Sequence, residues 1–304
     1  MKSILVTGSN GFVGRHLLKE LSDNGYTVIG VDRNSNNSVS AYRTMAVDLT
    51  KPSEVNKIDF KKIDAVIHLA GLAAVGPSFD EPMKYITTNI GIEVNLFEAA
   101  LKQNTKPKFL IISSGALYNP QAKLPLTERS EVLANSPYAV SKLGQEQVGF
   151  YYQTRGFECV IARPFNHIGP GQGLGFLLPD LAKQIAEVEK GLRTDVLVGN
   201  LDSKRDYTDV RDIVRAYRLL LEKGRSGEIY NVCSGTAISG HKMLTTLLRV
   251  THVKTTINKD PSRLRPSDTP TLVGSNAKIY KDTGWQPEIK LEQTLLDVMP
   301  DWRN

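Results

Sequence analysis

The sequence predicts an α/β fold in which a doubly wound parallel sheet carries helices on both faces. Three observations carry that prediction. A short apolar strand, "KSILVTG", runs through a glycine-rich turn into "FVGRHLLKELSDNGY", whose apolar residues recur at helical spacing before a glycine stop. A second strand, "TVIGVD", then ends on Asp32. Beyond it, strand-like runs at "TMAVDL", "DAVIHLAG" and "KFLIISS" alternate with helical stretches, the pattern of a parallel sheet covered on both faces.

The chain's 304 residues are enough to bury a large core in one domain or two lobes. A composition of 40% hydrophobic and 23% charged residues, free of tandem repeats, reads as a folded soluble protein, with disorder expected only near "DRNSNNSVS" and at the termini. The longest apolar stretch, "DAVIHLAGLAAVG", is too short to span a bilayer, and "MKSILVTGSNG" lacks the apolar core of a secretion signal, so no membrane partner and a cytoplasmic location are expected. Cys159 and Cys233 stand far apart without metal-ligand spacing, so no metal is expected and both read as buried, inert thiols. The net charge is +6, but Lys and Arg are scattered among acids, which argues against nucleic acid and suits a small anionic ligand equally well.

The turn between the first strand and helix contains Gly8, Asn10, Gly11, Phe12, Val13 and Gly14. Glycines there permit the tight turn and a close approach to a pyrophosphate, while the helix N-terminus supplies N–H donors, as in a Rossmann-type dinucleotide site. Asp32 is placed to grip the adenosine ribose hydroxyls, whereas the adjacent Arg33 suits the 2′-phosphate of NADP, so NADPH and NADH both remain open. Asp48 and Leu49 are expected beside the adenine, and Ala70 and Gly71 near the pyrophosphate. His68, inside an apolar strand, reads as a core histidine.

Ser114 ends the strand "KFLIISS", at the carboxyl edge where doubly wound sheets hold ligands. In "SPYAVSK" (136–142), Pro137 suits a helix start, and Tyr138 and Lys142 lie four residues apart on one helix face. A free tyrosine titrates near pH ~10. A nearby ammonium and an oxidised nicotinamide ring would favour the phenolate and bring the group toward working range, with Ser114 bonding the same substrate oxygen.

"TGSNGFVG", "HLAG", "SSGALY" and "SPYAVSK" resemble, in order, the motifs of the extended short-chain dehydrogenase/reductase family. The resemblance implies that Ser114, Tyr138 and Lys142 are catalytic and that Lys142 also holds the nicotinamide ribose. "ARPFNHIGPGQ" (162–172), "VGNLDSKRDYTDVRDIVRAY" (198–217) and "YNVCSG" (230–235) narrow it to the GDP-6-deoxy-4-keto-D-mannose reductases. Related dehydratases carry an acid, and epimerase-reductases a cysteine, at the position of Ala116. Neither Ala116 nor Gly115 can titrate, so hydride transfer alone remains. Asn119 departs from the glycine common in relatives, and Tyr118 reads as structural.

A nucleoside diphosphate calls for bidentate arginines. The resemblance implies phosphate contacts for Arg205 and Arg265, a ribose contact for Asp268, and a sugar or phosphate contact for Asn166, while His167 reads as structural. Ser78 is either a sugar contact or a cap for the helix that follows it. Arg211, Arg215 and Arg218 recur at helical spacing and read as a solvated face.

The resulting architecture is a dinucleotide-binding lobe over 1–163 and a smaller nucleotide-sugar lobe over 164–304. By resemblance the two are interleaved, with segments near 209–235 returning to the first lobe. Helices near 92–102 and 138–152 pack against a second subunit in relatives, which implies a homodimer. The expected activity is reduction of an NDP-4-keto-6-deoxyhexose, foremost GDP-4-keto-6-deoxy-D-mannose to GDP-D-rhamnose. A C4 epimerase that retains its NAD, and a non-catalytic dinucleotide-binding protein, are the alternatives.

Overall fold

The computed structural model describes residues 2–34, 42–263 and 270–303. Much of "DRNSNNSVS" therefore lies outside the described residues.

The first half builds β1 (Ser3–Thr7), α1 (Phe12–Asp23), β2 (Thr27–Asp32), β3 (Arg43–Ala46), α2 (Pro52–Val55), β4 (Ala65–His68), α3 (Val75–Ser78), α4 (Pro82–Lys102), β5 (Lys108–Ile112), α5 (Pro137–Thr154) and β6 (Cys159–Pro164). β7 (Asn166–Ile168), α6 (Leu177–Glu189), β8 (Asp195–Val198), β9 (Lys204–Asp209), α7 (Val210–Lys223) and β10 (Ile229–Val232) follow. The chain closes with β11 (Ala237–Ser239), α8 (Gly240–Thr251), β12 (Thr256–Lys259), β13 (Thr271–Leu272), α9 (Ala277–Thr283), α10 (Leu291–Val298) and α11 (Pro300–Arg303).

Seven strands form one parallel sheet in the order β10-β6-β5-β4-β1-β2-β3. The strand order reverses between β1 and β4, where Thr7 pairs with His68, and the carboxyl ends of these strands open the crevice in which such sheets bind ligands. Two apolar layers cover the sheet. One joins Ile4 and Leu17 to Ile213, Tyr217 and Trp285, and the other joins Leu5 and Val66 to Leu96, Phe97 and Tyr152. α4 explains its own burial: Tyr85, Asn89, Ile92, Glu93, Leu96, Phe97 and Ala100 fall on one helical stripe and all are buried.

β10 lies beside β6 at the edge of this sheet although some 65 residues separate the two in sequence. The intervening chain builds much of a smaller body in which β11, β9 and β13 pair, β7 joins β9, and β8 pairs β12. A separate apolar cluster of Leu178, Ile185, Val198, Met243, Leu247 and Leu295 holds it together.

The three arginines on α7 are not simply solvated. Arg211 pairs with Asp209 and Asp297, Arg215 with Asp212 and Glu288, and Arg218 with Glu20 and Glu222. Glu20, Glu288 and Asp297 come from distant segments that pack onto α7, which the helical spacing alone does not reveal. No helix among the described residues is long and apolar enough to cross a membrane.

Candidate active site

The turn after β1 is shaped to admit a phosphate. Gly8 has φ +68°, and Gly14 sits where a Cβ would lie 2.2 Å from the Gly8 carbonyl oxygen. Gly11 caps α1 without a side-chain hydrogen bond, and no acidic residue occupies the first turn. The N–H groups there remain available for an anion, so the donor set fits a dinucleotide pyrophosphate. Phe12 stacks over His167 with ring centroids 6.0 Å apart, and Val13 packs on the core.

Asp32 accepts from the backbone N–H of Asn10 at 3.0 Å and of Arg33 at 2.8 Å, so its carboxylate is fixed at the strand end. The Asn10 side chain donates to the Asn34 carbonyl, and Arg33 is exposed. Thr50, through its hydroxyl first, holds Asp48 below the usual carboxylate range, and Leu49 is buried beside it. Across the switch point the Ala70 N–H donates to Thr7 Oγ1 at 3.0 Å, while Gly71 lies against Asn89. His68 is buried, with Nδ1 2.9 Å from Thr7 Oγ1 and Nε2 without a partner, and burial lowers its pKa to about 3, so it stays neutral.

Ser114 follows β5 and caps a short turn, its Oγ accepting from the Ala116 N–H at 3.1 Å. Tyr138 opens α5, where Ser136 caps the helix by accepting from the Ala139 N–H. The Tyr138 side chain is buried, 8% exposed, and lies beside Ser114. Lys142, one turn on, donates to the Ile112 carbonyl at 2.8 Å and to Gln145 Oε1 at 2.9 Å. Ser114 and Tyr138 thus meet at the end of β5, with Lys142 on the same helix.

The electrostatics differ from the expectation for Tyr138. Burial raises its pKa, and Ser114 only partly opposes this. The Lys142 ammonium is meanwhile held by the Ile112 carbonyl and Gln145 Oε1. The phenol is therefore held protonated, which suits a proton donor. Burial lowers Lys142 to about 8, against the pull of Glu93 and Glu146.

A buried polar layer under these groups escaped the sequence reading. Glu146 binds Arg163 through two contacts of 2.7 Å and accepts from Ser113 at 2.5 Å. Arg163 covers the Tyr118 ring at 4.9 Å, and the Tyr118 hydroxyl donates to Asn231 at 2.6 Å. Arg163 sits in a segment quoted for other residues and Glu146 in a helix named only for its packing, so only the apolar context of β6 hinted that a charge there must be paired.

Asn166 is exposed on β7, opposite Tyr207 of β9. Arg205 lies on β9 between Ile238 and Leu272, and donates to the Lys204 carbonyl at 3.0 Å. Ser78 is fully buried and donates its hydroxyl to Val75 O at 2.6 Å, while Glu81 caps α4 without a side-chain bond. Ser78 therefore does not cap α4. Arg265 and Asp268 lie outside the described residues. Cys159 and Cys233 are buried free thiols whose pKa burial pushes up.

Residues 5–298 match the family described as GDP-mannose 4,6 dehydratase. The GDP-6-deoxy-D-mannose reductase of Pseudomonas aeruginosa is 36% identical over 99% of this chain and 97% of its own length. A structure of RMD from Pseudomonas aeruginosa complexed with NADPH superposes with a TM-score of 0.90 at 34% identity, covering 100% of this chain and 99% of that one. A UDP-glucose 4-epimerase of Pisum sativum is more distant, at 29% identity over 97% of this chain and 94% of its own. With a dinucleotide cradle at the switch point, a serine, tyrosine and lysine beside it, and likeness from end to end, this chain belongs to the GDP-mannose 4,6 dehydratase family of extended short-chain dehydrogenases/reductases.

Proposed function

We propose that the chain reduces the C4 keto group of an NDP-4-keto-6-deoxyhexose, with GDP-4-keto-6-deoxy-D-mannose going to GDP-D-rhamnose as the specific reaction. The observation that carries this reading is the composition of the pocket floor. Ser114 and Tyr138 meet there, while Gly115 and Ala116 contribute no acid, base or nucleophile. A Cβ at Gly115 would lie 2.9 Å from the Phe165 ring, so that position has no room for an added group. Dehydration requires a further acid or base, whereas ketone reduction requires only a hydride and a proton.

Gly8, Gly11, Gly14, Asp32, Tyr138 and Lys142 would hold NADPH or NADH, which would supply the hydride when bound. Ser114 holds the ketone oxygen. Tyr138, kept protonated by burial, gives its proton to that oxygen as the carbonyl becomes an alcohol. The phenolate left behind is stabilised by the Lys142 ammonium one turn along α5. Asn166, Arg205, Arg265 and Asp268 are proposed to anchor the nucleotide diphosphate, so that remote binding energy orients the sugar. Ser78 stays with this group only if its hydroxyl leaves Val75.

Three further features go with this reading. We propose a homodimer through the outer faces of α4 and α5, which leave Met83, Val140 and Tyr151 exposed. A cytoplasmic location suits the two free thiols. The division into lobes at residue 163, with 209–235 returning to the first, is likewise proposed, supported by the pairing of β10 with β6.

The test follows oxidation of NADPH and of NADH when GDP-4-keto-6-deoxy-D-mannose is generated in place by a dehydratase, with product configuration at C4 read by NMR. Stoichiometric oxidation with a D-rhamno product is expected. No oxidation with this or a matching dTDP or UDP keto-sugar sinks the reductase reading and favours a C4 epimerase that keeps its cofactor.

A further inference from the structure

Glu93 is an ionisable side chain buried at the heart of the molecule with no structural partner. It is 0% exposed, and neither carboxyl oxygen makes a hydrogen bond. It lies on the α4 stripe facing α5, one turn beyond Asn89, which donates to Ser141 beside the catalytic lysine. Its neighbours are Lys142, Gln145 and Glu146 of α5 and the Cys159 thiol of β6. Arg163 of β6 is taken up by Glu146, and His68 of β4, a neutral ring, is near enough to feel the Lys142 charge.

Gln145 is the second unfinished group. Its Oε1 accepts from Lys142, but its Nε2 is buried without a partner. An amide end with no acceptor leaves the side chain free to turn over and present N–H to the ammonium, donor against donor. The unused donor on Gln145 and the unused acceptors on Glu93 complete one another. We propose that Glu93 is a positioning residue for Lys142: a carboxyl oxygen of Glu93 accepts from Gln145 Nε2, which keeps Gln145 Oε1 on the Lys142 ammonium.

The consequence falls on the site. Lys142 spends two of its three N–H bonds on Ile112 and Gln145, which leaves one for the ribose of a bound cofactor. The charge balance agrees. Burial raises Glu93 well above the ordinary carboxylate range, with Lys142 only partly opposing it, so the buried layer holds the lysine charge and the closed Glu146–Arg163 pair. An apolar residue would pack at position 93 without an orphaned group, so stability does not account for a carboxyl there.

This inference rests on the assignment of Tyr138 and Lys142 to the proton transfer, and the experiment separates the two. Glu93→Leu, Glu93→Gln, Gln145→Leu and the Glu93→Leu/Gln145→Leu pair are compared with Tyr138→Phe for kcat, NADPH affinity and the alkaline limb of the pH profile. Glu93→Leu and Gln145→Leu are each expected to lower kcat about tenfold and move the alkaline limb to lower pH, because the ammonium loses an acceptor. The double variant should be no worse than either single one, since both break the same chain. Glu93→Gln, which keeps a neutral carbonyl acceptor, should recover most of the rate. An unchanged rate and limb in Glu93→Leu, additive losses in the pair, or Glu93→Gln as damaged as Glu93→Leu would each overturn the role of Glu93 while Tyr138→Phe remains inactive. Should Glu93→Leu not fold, an unchanged limb in Gln145→Leu overturns it equally. An active Tyr138→Phe would instead remove the assignment beneath it.

Discussion

Alkaline titration of the enzyme reads the protonation state of Lys142. Burial pulls this ammonium from its ordinary 10.5 to about 8, in spite of Glu93 and Glu146. The displacement corresponds to ~3 kcal/mol in favour of the neutral amine. Burial moves Tyr138 the other way, so the phenol stays protonated over the same interval. Keto-sugar reduction at saturating substrate should be level below the lysine's pKa of about 8 and then fall by about tenfold per pH unit. Unfolding cannot mimic that limb through this group. The folded chain binds the lysine proton more weakly than the unfolded one, so the penalty is full below about 8 and is relieved as pH climbs toward 10.5. Lys142 therefore adds stability over the window in which it removes activity. The assay is the initial rate of reduced-nicotinamide oxidation across pH, with thermal unfolding measured in the same buffers. Lys142→Arg stays charged throughout and should be slower but without a limb near 8. A wild-type rate level to about pH 10, or a Lys142→Arg limb in the wild-type position, would refute the reasoning.

Other substitutions test neighbouring parts of the site. Tyr138→Phe removes one hydroxyl, so single-turnover reduction should slow by about 10²–10⁴-fold, while the melting temperature barely moves because one net hydrogen bond is worth ~1 kcal/mol. Gly14→Ala would push a methyl to 2.2 Å from the Gly8 carbonyl oxygen and force the cradle apart. Fluorescence titration should show weakened dinucleotide binding, with ~1–3 kcal/mol of stability lost to overpacking, and normal affinity would count against the cradle. Glu146→Leu leaves the Arg163 guanidinium buried and unpaired at side-chain exposures of 4% and 1% for the two partners. Urea unfolding should register a loss of ~3–5 kcal/mol, largely recovered in Glu146→Leu/Arg163→Met.

The dinucleotide half was legible because each signal is local. The turn at Gly8 to Gly14, the carboxylate at Asp32 and the four-residue step from Tyr138 to Lys142 all follow from spacing along one element. What stayed hidden depends on pairing between elements. Arg211, Arg215 and Arg218 read as a solvated face because Asp297, Glu288 and Glu20 lie far away in sequence. Glu93 reads as an ordinary helix charge until the stripe of Tyr85, Asn89, Leu96 and Ala100 is drawn through it, and that periodicity was the available signal. The direction of the Tyr138 shift also needed three dimensions, because it turns on how deeply the phenol is buried.

The edge position of β10 limits how such an enzyme can be rebuilt. A fragment cut after β6 would leave that strand with a row of open backbone groups and would strip Ile213, Tyr217 and Leu220 from the layer that covers Ile4 and Leu17. The nucleotide-binding half is therefore not a module that can be excised or fused to a foreign C-terminal half at a single junction. Exchange of sugar specificity between relatives has to proceed by separate grafts on either side of α7 and β10, with those two elements kept in place. A chain growing from the ribosome faces the same constraint, since its central sheet stays one strand short until residue 232 has emerged.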